Sequence, residues 1–384
     1  MSQRKFIFHI RAHNDCDHFV PIIWQLLNKG HNIVIIPMYG FQAHQDYRIK
    51  FLTTNFKNLL IFEPSKFYIR KSTYLFKFYS FFNHKNNLMK RLFFLINLPL
   101  KLSEYSIFKN NPVIIWDYGN PGRISHFESL IYSLKTVVLP HGIDIFTNKY
   151  LNVKADFSNR SIYDHYLIDS EMQKEIAVNL LNMNEKKLQV IGSSRFSKEW
   201  IEVLFSFIDK FSFGPLERKK IVYFLPHSDF DPKNSAIINT INAIRKLKNI
   251  SLVIKVSTRQ KNIYFPDTMK DFDKYDNLLF DDSTPSSALI DWSDIVINHG
   301  SSIVFDAFQM NKVVIHPCFL DGLSTIFDGD ESVYSVNSIE QVCKIIDSNE
   351  AYPAKDASKM IKKYIYNELE EPPLDYLYNF LIKL

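Results

Sequence analysis

The sequence predicts an α/β fold with two Rossmann-like domains that face each other across a cleft. At 384 residues the chain is long for a single hydrophobic core. Short apolar runs alternate with amphipathic segments in two successive series, and continuous apolar strands are typical of parallel sheets covered on both faces. We expect an N-terminal domain over residues 1–212, a C-terminal domain over 213–360, and a last helix within 361–384 that crosses back to the first domain.

The first series begins with a strand–helix–strand unit. The runs "KFIFHI" (5–10) and "NIVIIPM" (32–38) flank an apolar-periodic segment, and Gly30 suits the end of that helix. Further strands are predicted in "PVIIWDYG" (112–119), "TVVLPHGID" (136–144), "DHYLIDS" (164–170) and "LQVIGSSRF" (188–196).

The second series follows the turn "FGPLERKK" and has the same alternation. Its strands are predicted in "IVYFLPHSDFD" (221–231), "SLVIKVSTR" (251–259), "NLLFDD" (277–282), "DIVINHGSS" (294–302) and "KVVIHP" (312–317). Open α/β sheets bind ligands at the carboxyl ends of their strands. The polar residues that end these runs are therefore the candidates for a site.

Composition limits the class of protein. Hydrophobic residues make up 46% and charged residues 23%, which is typical of a folded globular chain. The net charge of +5 suits an anionic substrate or membrane surface, but no concentrated basic run of the nucleic-acid-binding kind occurs. Cys16, Cys318 and Cys343 lack metal-like or redox spacing, which predicts reduced thiols and a cytoplasmic protein. The apolar run at the N-terminus is too short to predict a signal peptide, and no run of 18 uninterrupted apolar residues occurs.

Residues 66–108 differ in composition from the rest of the chain. Large aromatic residues are interleaved with Lys and Arg, and no acidic residue occurs between 66 and 102. Such a segment forms either core helices with snorkelling lysines or an amphipathic face that rests on anionic lipid at the inner leaflet of a membrane.

The segment 294–317, "DIVINHGSSIVFDAFQMNKVVIHP", predicts an anion site. A strand runs into His299, Gly300, Ser301 and Ser302, and an apolar-periodic helix follows. Backbone N–H groups, two hydroxyls and the positive end of a helix dipole then point at one place, where they suit a phosphate. Ordinary N-capping by serine is the alternative.

Other strand ends carry cations and possible catalytic groups. Lys255 and Arg259 end "IKVSTR", where they either neutralise a phosphate or are surface cations, and Arg195 suits a donor phosphate or a sugar carboxylate. His227, Asp229 and Asp231 follow the first strand of the second series, although Asp231 before a proline also suits a helix start. In the first domain, His141 of "PHGID" is a candidate base, and the group Arg11, His13, Asn14, Asp15 and Asp117 ends two other strands.

The order of "PHGID", "VIGSSRFSKEW", "IVYFLPHSDF", "LVIKVSTR" and "INHGSSIVFDAFQMNKVVIHP" resembles the GT-B glycosyltransferases of bacterial capsule and O-antigen assembly. Within them it is most similar to the retaining β-Kdo transferases, and more distantly to CDP-glycerol glycerophosphotransferases. The resemblance covers residues 110–330 in motifs and the whole chain in strand order.

The resemblance implies transfer of a sugar, with CMP-Kdo as the favoured donor, onto a lipid-linked glycan held by the first domain. It implies that Asp229 is the nucleophile, with Asp231 in reserve, and that Asp306 faces the nucleotide ribose. For Asp306 a solvent-facing helix carboxylate is the alternative. The sequence departs from the family at Ser257, where related CMP-sugar enzymes have a histidine.

Several alternatives stay open at this point. A CDP-polyol phosphotransferase would use the same phosphate site. A UDP-sugar hexosyltransferase would differ only in its donor. A sugar-nucleotide 2-epimerase would need more carboxylates around the sugar than the sequence offers. A non-catalytic assembly scaffold would explain Ser257. The triplets "DFD" at 229–231 and 271–273 match a metal-binding pattern only formally, so no essential metal or cofactor is predicted.

Overall fold

The computed structural model describes residues 3–38, 40–63, 106–117, 134–140, 142–148, 163–226, 234–256, 275–320, 323–348 and 352–384. Within these ranges the chain divides into two compact units. One comprises residues 1–143, 155–200 and 364–384, and the other comprises 144–154 and 201–363.

The first unit contains a seven-stranded parallel sheet in the order β3-β2-β1-β4-β5-β6-β7. Its strands are β1 (Lys5–Ile10), β2 (Asn32–Pro37), β3 (Leu59–Ile61), β4 (Val113–Asp117), β5 (Thr136–Leu139), β6 (His165–Ile168) and β7 (Leu188–Val190). Its helices are α1 (His13–Asn28), α2 (Tyr47–Asn55), α3 (Glu171–Asn179) and α4 (Lys198–Phe207, which continues into the second unit).

The second unit contains a six-stranded parallel sheet in the order β10-β9-β8-β11-β12-β13. Its strands are β8 (Lys219–Phe224), β9 (Ile250–Lys255), β10 (Leu278–Asp281), β11 (Ile295–Asn298), β12 (Val313–Pro317) and β13 (Tyr334–Val336). Its helices are α5 (Asn234–Ile244), α6 (Ser286–Trp292), α7 (Val304–Gln309), α8 (Ile339–Asp347) and α9 (Ser358–Met360).

Each sheet has a core of its own because most residues of its central strands are buried. Trp116, Tyr163 and Tyr166 pack edge-on against one another in the first unit, with ring centroids 4.8 and 5.6 Å apart. In the second unit, branched side chains from the strands, including Ile221 and Ile297, pack against Ile237 and Ile241 of α5. The predicted class, two Rossmann-like α/β sheets, is confirmed.

The chain ends in the first unit, where α10 (Pro373–Lys383) packs against α1. Gln25 donates to Asp375 at 2.8 Å, and Gln189 donates to the Tyr376 hydroxyl at 2.9 Å. Gly192 allows the approach to this tail: its φ is +68°, and a Cβ there would overlap the carbonyl oxygen of Ile365. Ser193 N donates to that same oxygen at 2.8 Å.

Candidate functional site

The candidate site of the second unit lies where its strand order changes direction. From β8 the chain adds β9 and β10 on one side and then β11 and β12 on the other. The register aligns Lys255 with Phe224 and Phe224 with Asn298, so the residues that follow β8 and β11 leave the sheet at one level. This reversal between β8 and β11 is the place where open α/β sheets bind ligands.

The turn after β11 closes on itself through the side chain of Asn298. Asn298 Nδ2 donates to the Ser301 carbonyl at 2.9 Å, and Ile303 N donates to Ser301 Oγ at 3.3 Å. Gly300 has a φ of +98°, a left-handed conformation that glycine adopts without the steric cost of a side chain. The sequence therefore forms a tight, partly exposed turn at this edge of the sheet.

The two serines of the turn differ in their bonding. The Ser301 hydroxyl takes part in the turn, whereas the Ser302 hydroxyl has no hydrogen-bond partner within the described residues. The N-cap residue of α7 is Ile303, and no side chain caps the helix. With six residues, α7 provides a shorter helix dipole than the sequence argument assumed. The predicted phosphate site therefore depends on the hydroxyls and backbone N–H groups of the turn more than on the helix dipole, and it stays a prediction.

His299 and Asp306 flank this turn and are both buried, at 1% and 4% exposed. The ring of His299 stacks on that of His316, with centroids 5.2 Å apart. The burial of Asp306 excludes the alternative of a solvent-facing helix carboxylate. Its contact with a ribose stays a prediction.

Lys255 ends β9 as predicted, but a carboxylate already neutralises its charge. Its ammonium lies 3.1 Å from Asp281 Oδ1 and donates to the Thr284 carbonyl at 2.7 Å. Burial alone would raise the pKa of Asp281, but hydrogen bonds from Thr284 and the Lys255 ammonium outweigh it and lower that pKa. If Lys255 binds a phosphate, its ammonium would contact both the phosphate and Asp281.

Five predicted site residues lie outside the described residues. Their places in the chain are known: His227, Asp229 and Asp231 follow β8, Arg259 follows β9, and His141 follows β5. The end of β8, which precedes His227, borders the strand-order reversal of the second sheet, and the end of β9, which precedes Arg259, lies one strand further away. The proposed roles of all five stay predictions.

Arg195 belongs to the first unit, in the turn after β7. It lies 3.9 Å from Asp17 and its guanidinium covers the ring of Phe196. Near it is Asp169, which follows β6 and is 1% exposed. Burial raises the pKa of Asp169 to about 8, although the charge of Arg195 opposes the shift. Asp169 is thus a neutral, proton-bearing carboxyl at neutral pH.

The first sheet has its own strand-order reversal, between β1 and β4. Arg11, just after β1, pairs with Asp117 at the end of β4 and with Asp15, whose Oδ2 lies 3.3 Å from its Nε. Burial and the charge of Asp117 raise the pKa of Asp15, while Arg11 opposes them. The structure therefore brings together three residues that the sequence placed only at separate strand ends.

Sequence reasoning missed the buried guanidinium beside this group. Arg48 of α2 is 5% exposed and pairs with Asp46 and Asp17, and His13 Nδ1 lies 2.9 Å from Asp46. Burial alone would raise the pKa of Asp46, but Arg48 and His13 outweigh it and lower that pKa. No sequence pattern marks this cluster, because its members come from the starts of α1 and α2, which only the fold brings together.

No protein-family model matches this sequence, and no curated protein resembles it closely enough to count as a relative. Solved structures do match its fold. A glycosyltransferase from Rickettsia africae ESF-5 aligns over 100% of both chains with a TM-score of 0.57 and 15% identity. The wall teichoic acid polymerase TagF, soaked with CDPG, aligns over 98% of this chain and 88% of its own with a TM-score of 0.59 and 11% identity.

A third match is a UDP-GlcNAc 2-epimerase from Neisseria meningitidis bound to UDP-GlcNAc. It aligns over 99% of this chain and 100% of its own, with a TM-score of 0.56 and 12% identity. At such identities the likeness concerns the fold. The chain has the same two-sheet α/β fold as these three proteins, which is the predicted GT-B fold class. Among the described residues no helix is long and apolar enough to cross a membrane.

Proposed function

We propose that this protein is a glycosyltransferase that takes a sugar from a nucleotide donor. The observation that carries the proposal is the position of the Gly300–Ser302 turn at the strand-order reversal of the second sheet. A departing nucleotide phosphate needs hydrogen-bond donors that are already in place. The fold likeness to a glycosyltransferase over the whole chain supports the same reaction class.

In this proposal Gly300, Ser301 and Ser302 hold the donor phosphate. Asp229, with Asp231 in reserve, is the carboxylate that reacts at the sugar, and the first unit holds the acceptor. The favoured donor is CMP-Kdo and the favoured acceptor is a lipid-linked glycan of a bacterial surface polysaccharide, a choice that depends on the motif resemblance. No metal or cofactor is needed for the reaction, because donors on the protein stabilise the departing phosphate.

A thermal-shift titration with CMP, CDP, UMP, UDP and GDP tests the donor class. A ligand that binds only the native state stabilises it by mass action, so we expect CMP to raise the melting temperature without added divalent metal. A protein that responds to no nucleotide would contradict the proposal and favour the scaffold alternative. Turnover of CMP-Kdo that Asp229→Asn abolishes while CMP still binds would support the catalytic role.

A second candidate is a CDP-polyol phosphotransferase, which the fold likeness to TagF favours. This reaction would use the same phosphate turn but attack phosphorus, so a histidine base such as His141 would matter more than Asp229. In the titration it predicts a preference for CDP over CMP. It also predicts that Asp229→Asn keeps most of the activity.

A further inference from the structure

A second group of side chains lies on and after β12, the strand next to β11, which precedes the Gly300–Ser302 turn (the phosphate turn). His316 is in β12, Cys318 follows that strand, and Asp328 lies in the loop before β13. One nitrogen, one sulfur and one oxygen atom of these residues all lie within 4.8 Å of one another. His316 is 0% exposed, whereas the side chain of Asp328 is 36% exposed and gives the group access to solvent.

A neutral His316 ring cannot form hydrogen bonds with both of the protein oxygens that its nitrogens contact. Its Nδ1 lies 3.2 Å from the Asn298 carbonyl, and its Nε2 lies 2.8 Å from Asp328 Oδ1. Both oxygens are acceptors, and a neutral imidazole has a single N–H. If Nδ1 donates to Asn298, the lone pair of Nε2 faces a carboxylate oxygen.

The neighbouring hydroxyl cannot supply what is missing. Thr325 Oγ1 lies 3.2 Å from His316 Nε2 and 2.8 Å from Asp328 Oδ1, but its one hydrogen can serve only one of these two acceptors. In the tautomer whose Nδ1 donates to Asn298, a metal ion between Nε2 and the carboxylate would satisfy both atoms. In the tautomer whose Nε2 donates to Asp328, the contact of Nδ1 with the Asn298 carbonyl has no hydrogen.

We propose that His316 Nε2, Cys318 Sγ and Asp328 Oδ1 bind a divalent transition metal of the zinc class. A histidine ligand commonly donates its other N–H to a backbone carbonyl, which is the arrangement of Nδ1 and Asn298. Nitrogen, thiolate and carboxylate together suit Zn²⁺, and three protein ligands leave a fourth position for water. Neighbouring ligand atoms of tetrahedral zinc lie roughly 3.3–3.7 Å apart. The ligand atoms here, within 4.8 Å of one another, need to move by about 1 Å.

The ion would also fix the geometry of the phosphate turn. His316 holds the carbonyl of Asn298, and the side chain of Asn298 closes the turn on Ser301. The ion is thus a structural support behind the turn. The sequence predicted no essential metal and no metal-like cysteine spacing, and this inference departs from that prediction. It does not depend on the proposed function.

Metal binding by the purified protein tests the site without any substrate. The protein is dialysed against a chelator, reloaded with Zn²⁺ or Co²⁺ alone, and measured for bound metal and absorption. We expect one equivalent of metal and, with Co²⁺, a thiolate-to-cobalt charge-transfer band in the near ultraviolet. Cys318→Ser should abolish the band, while the matched control Cys343→Ser should keep it.

The isosteric variant Asp328→Asn should fold and bind Zn²⁺ about a hundredfold more weakly, because it loses an anionic ligand. A charge-transfer band of equal strength in the Cys318→Ser and Cys343→Ser proteins would overturn the proposal. Wild-type protein that retains no more Zn²⁺ than Cys318→Ser would do the same. If the metal site failed these tests, nucleotide binding by the metal-free protein would still support the proposed function.

Discussion

At the scale of single residues, burial decides which polar groups act and in which protonation state. Asp169 and Asp46 are both buried acids of the first unit, yet burial raises the pKa of the first while a guanidinium lowers that of the second. The difference arises because Arg48 bonds Asp46 directly, whereas Arg195 only opposes the burial of Asp169. The sequence shows two aspartates and does not distinguish them.

The pKa of Asp169 makes a testable prediction about stability. An unfolded aspartate titrates near 3.8 and the folded one near 8, so between these values the folded protein holds a proton that the unfolded chain has released. The free energy of unfolding contributed by this group therefore falls as the pH rises from about 4 to 8, at up to about 1.4 kcal/mol per pH unit.

Asp169→Asn removes this titration while keeping the size of the side chain. Denaturant unfolding of both proteins at several pH values should show the variant gaining on the wild type as the pH rises. Parallel pH profiles for the two proteins would refute the raised pKa.

The unequal bonding of the two serines predicts the outcome of their replacement. Ser302→Ala removes a hydroxyl that is not used within the described residues, so stability should change little while nucleotide affinity falls. One hydrogen bond to a charged group contributes about 1.5–3 kcal/mol, which corresponds to a roughly ten- to hundredfold weaker Kd. Calorimetric titration with CMP measures this loss.

Ser338→Ala is the matched control for Ser302→Ala. Ser338 also precedes a helix after a strand, and its hydroxyl accepts from Gln341 N, but that helix follows the edge strand β13. The control should lose some stability, because it loses an N-cap, and keep its nucleotide affinity. Equal affinity losses in both variants would count against a phosphate site at the turn.

At the scale of elements, period and composition were sufficient for most strands. The eleven apolar runs that the sequence marked as strands are strands in the structure, usually with the last predicted residues in the following turn. The sequence missed β3 and β13, which are three residues long and form outer edges of the sheets. Three residues are too few for a strand to be recognised from its period or from the length of its apolar run.

Gly192 gives a prediction about an element contact. Alanine there would combine an unfavourable positive φ with overlap against Ile365 and Pro373 at the start of the tail. We expect Gly192→Ala to lower the free energy of unfolding by about 3 kcal/mol, from the left-handed backbone and overpacking together. Chemical denaturation measures the change.

Gly329→Ala separates the two causes. Gly329 has a similar φ of +73°, but nothing lies within 4 Å of a Cβ at that position. Its replacement should cost about 1 kcal/mol, from the backbone alone. If the free energy of unfolding fell equally in both variants, overlap with the tail would not contribute to the effect of Gly192→Ala.

At the scale of the whole molecule, the fold organises each unit around a strand-order reversal with polar groups at its carboxyl edge. In the first unit the residues are Arg11, Asp15 and Asp117, and in the second they are the turn residues after β11. The second edge carries the proposed donor site, and the first carries an ion cluster of one arginine and two aspartates. The predicted domain boundaries at 212 and 360 stay predictions.

The composition of residues 66–108 has two interpretations, core helices or an amphipathic face on anionic lipid, and only the second predicts membrane binding. If this segment forms the amphipathic face, the protein should co-sediment with anionic vesicles and bind neutral ones weakly, with about 1 kcal/mol per Lys or Arg near the surface. Binding should weaken as ionic strength rises. A triple variant, Lys77→Gln with Lys85→Gln and Lys90→Gln, should lose most of it.

A variant with the same change in net charge controls for non-specific attraction. Lys50, Lys246 and Lys359 are exposed and lie outside the segment, so replacing all three with glutamine should leave vesicle binding nearly unchanged. Equal losses in the two triple variants would indicate that the aromatic and basic segment belongs to the core, which is the other interpretation of its composition.

The sequence by itself determined the class of fold, the position of nearly all strands and the glycine–serine turn. These features are local: a buried strand must be apolar, and a tight turn needs small residues. Only the tertiary structure decided that Lys255 is already paired with Asp281, that Asp306 is buried, and that His316 meets Asp328. Such pairings depend on which strands become neighbours, because the charge state of a side chain follows from groups brought to it from distant parts of the chain.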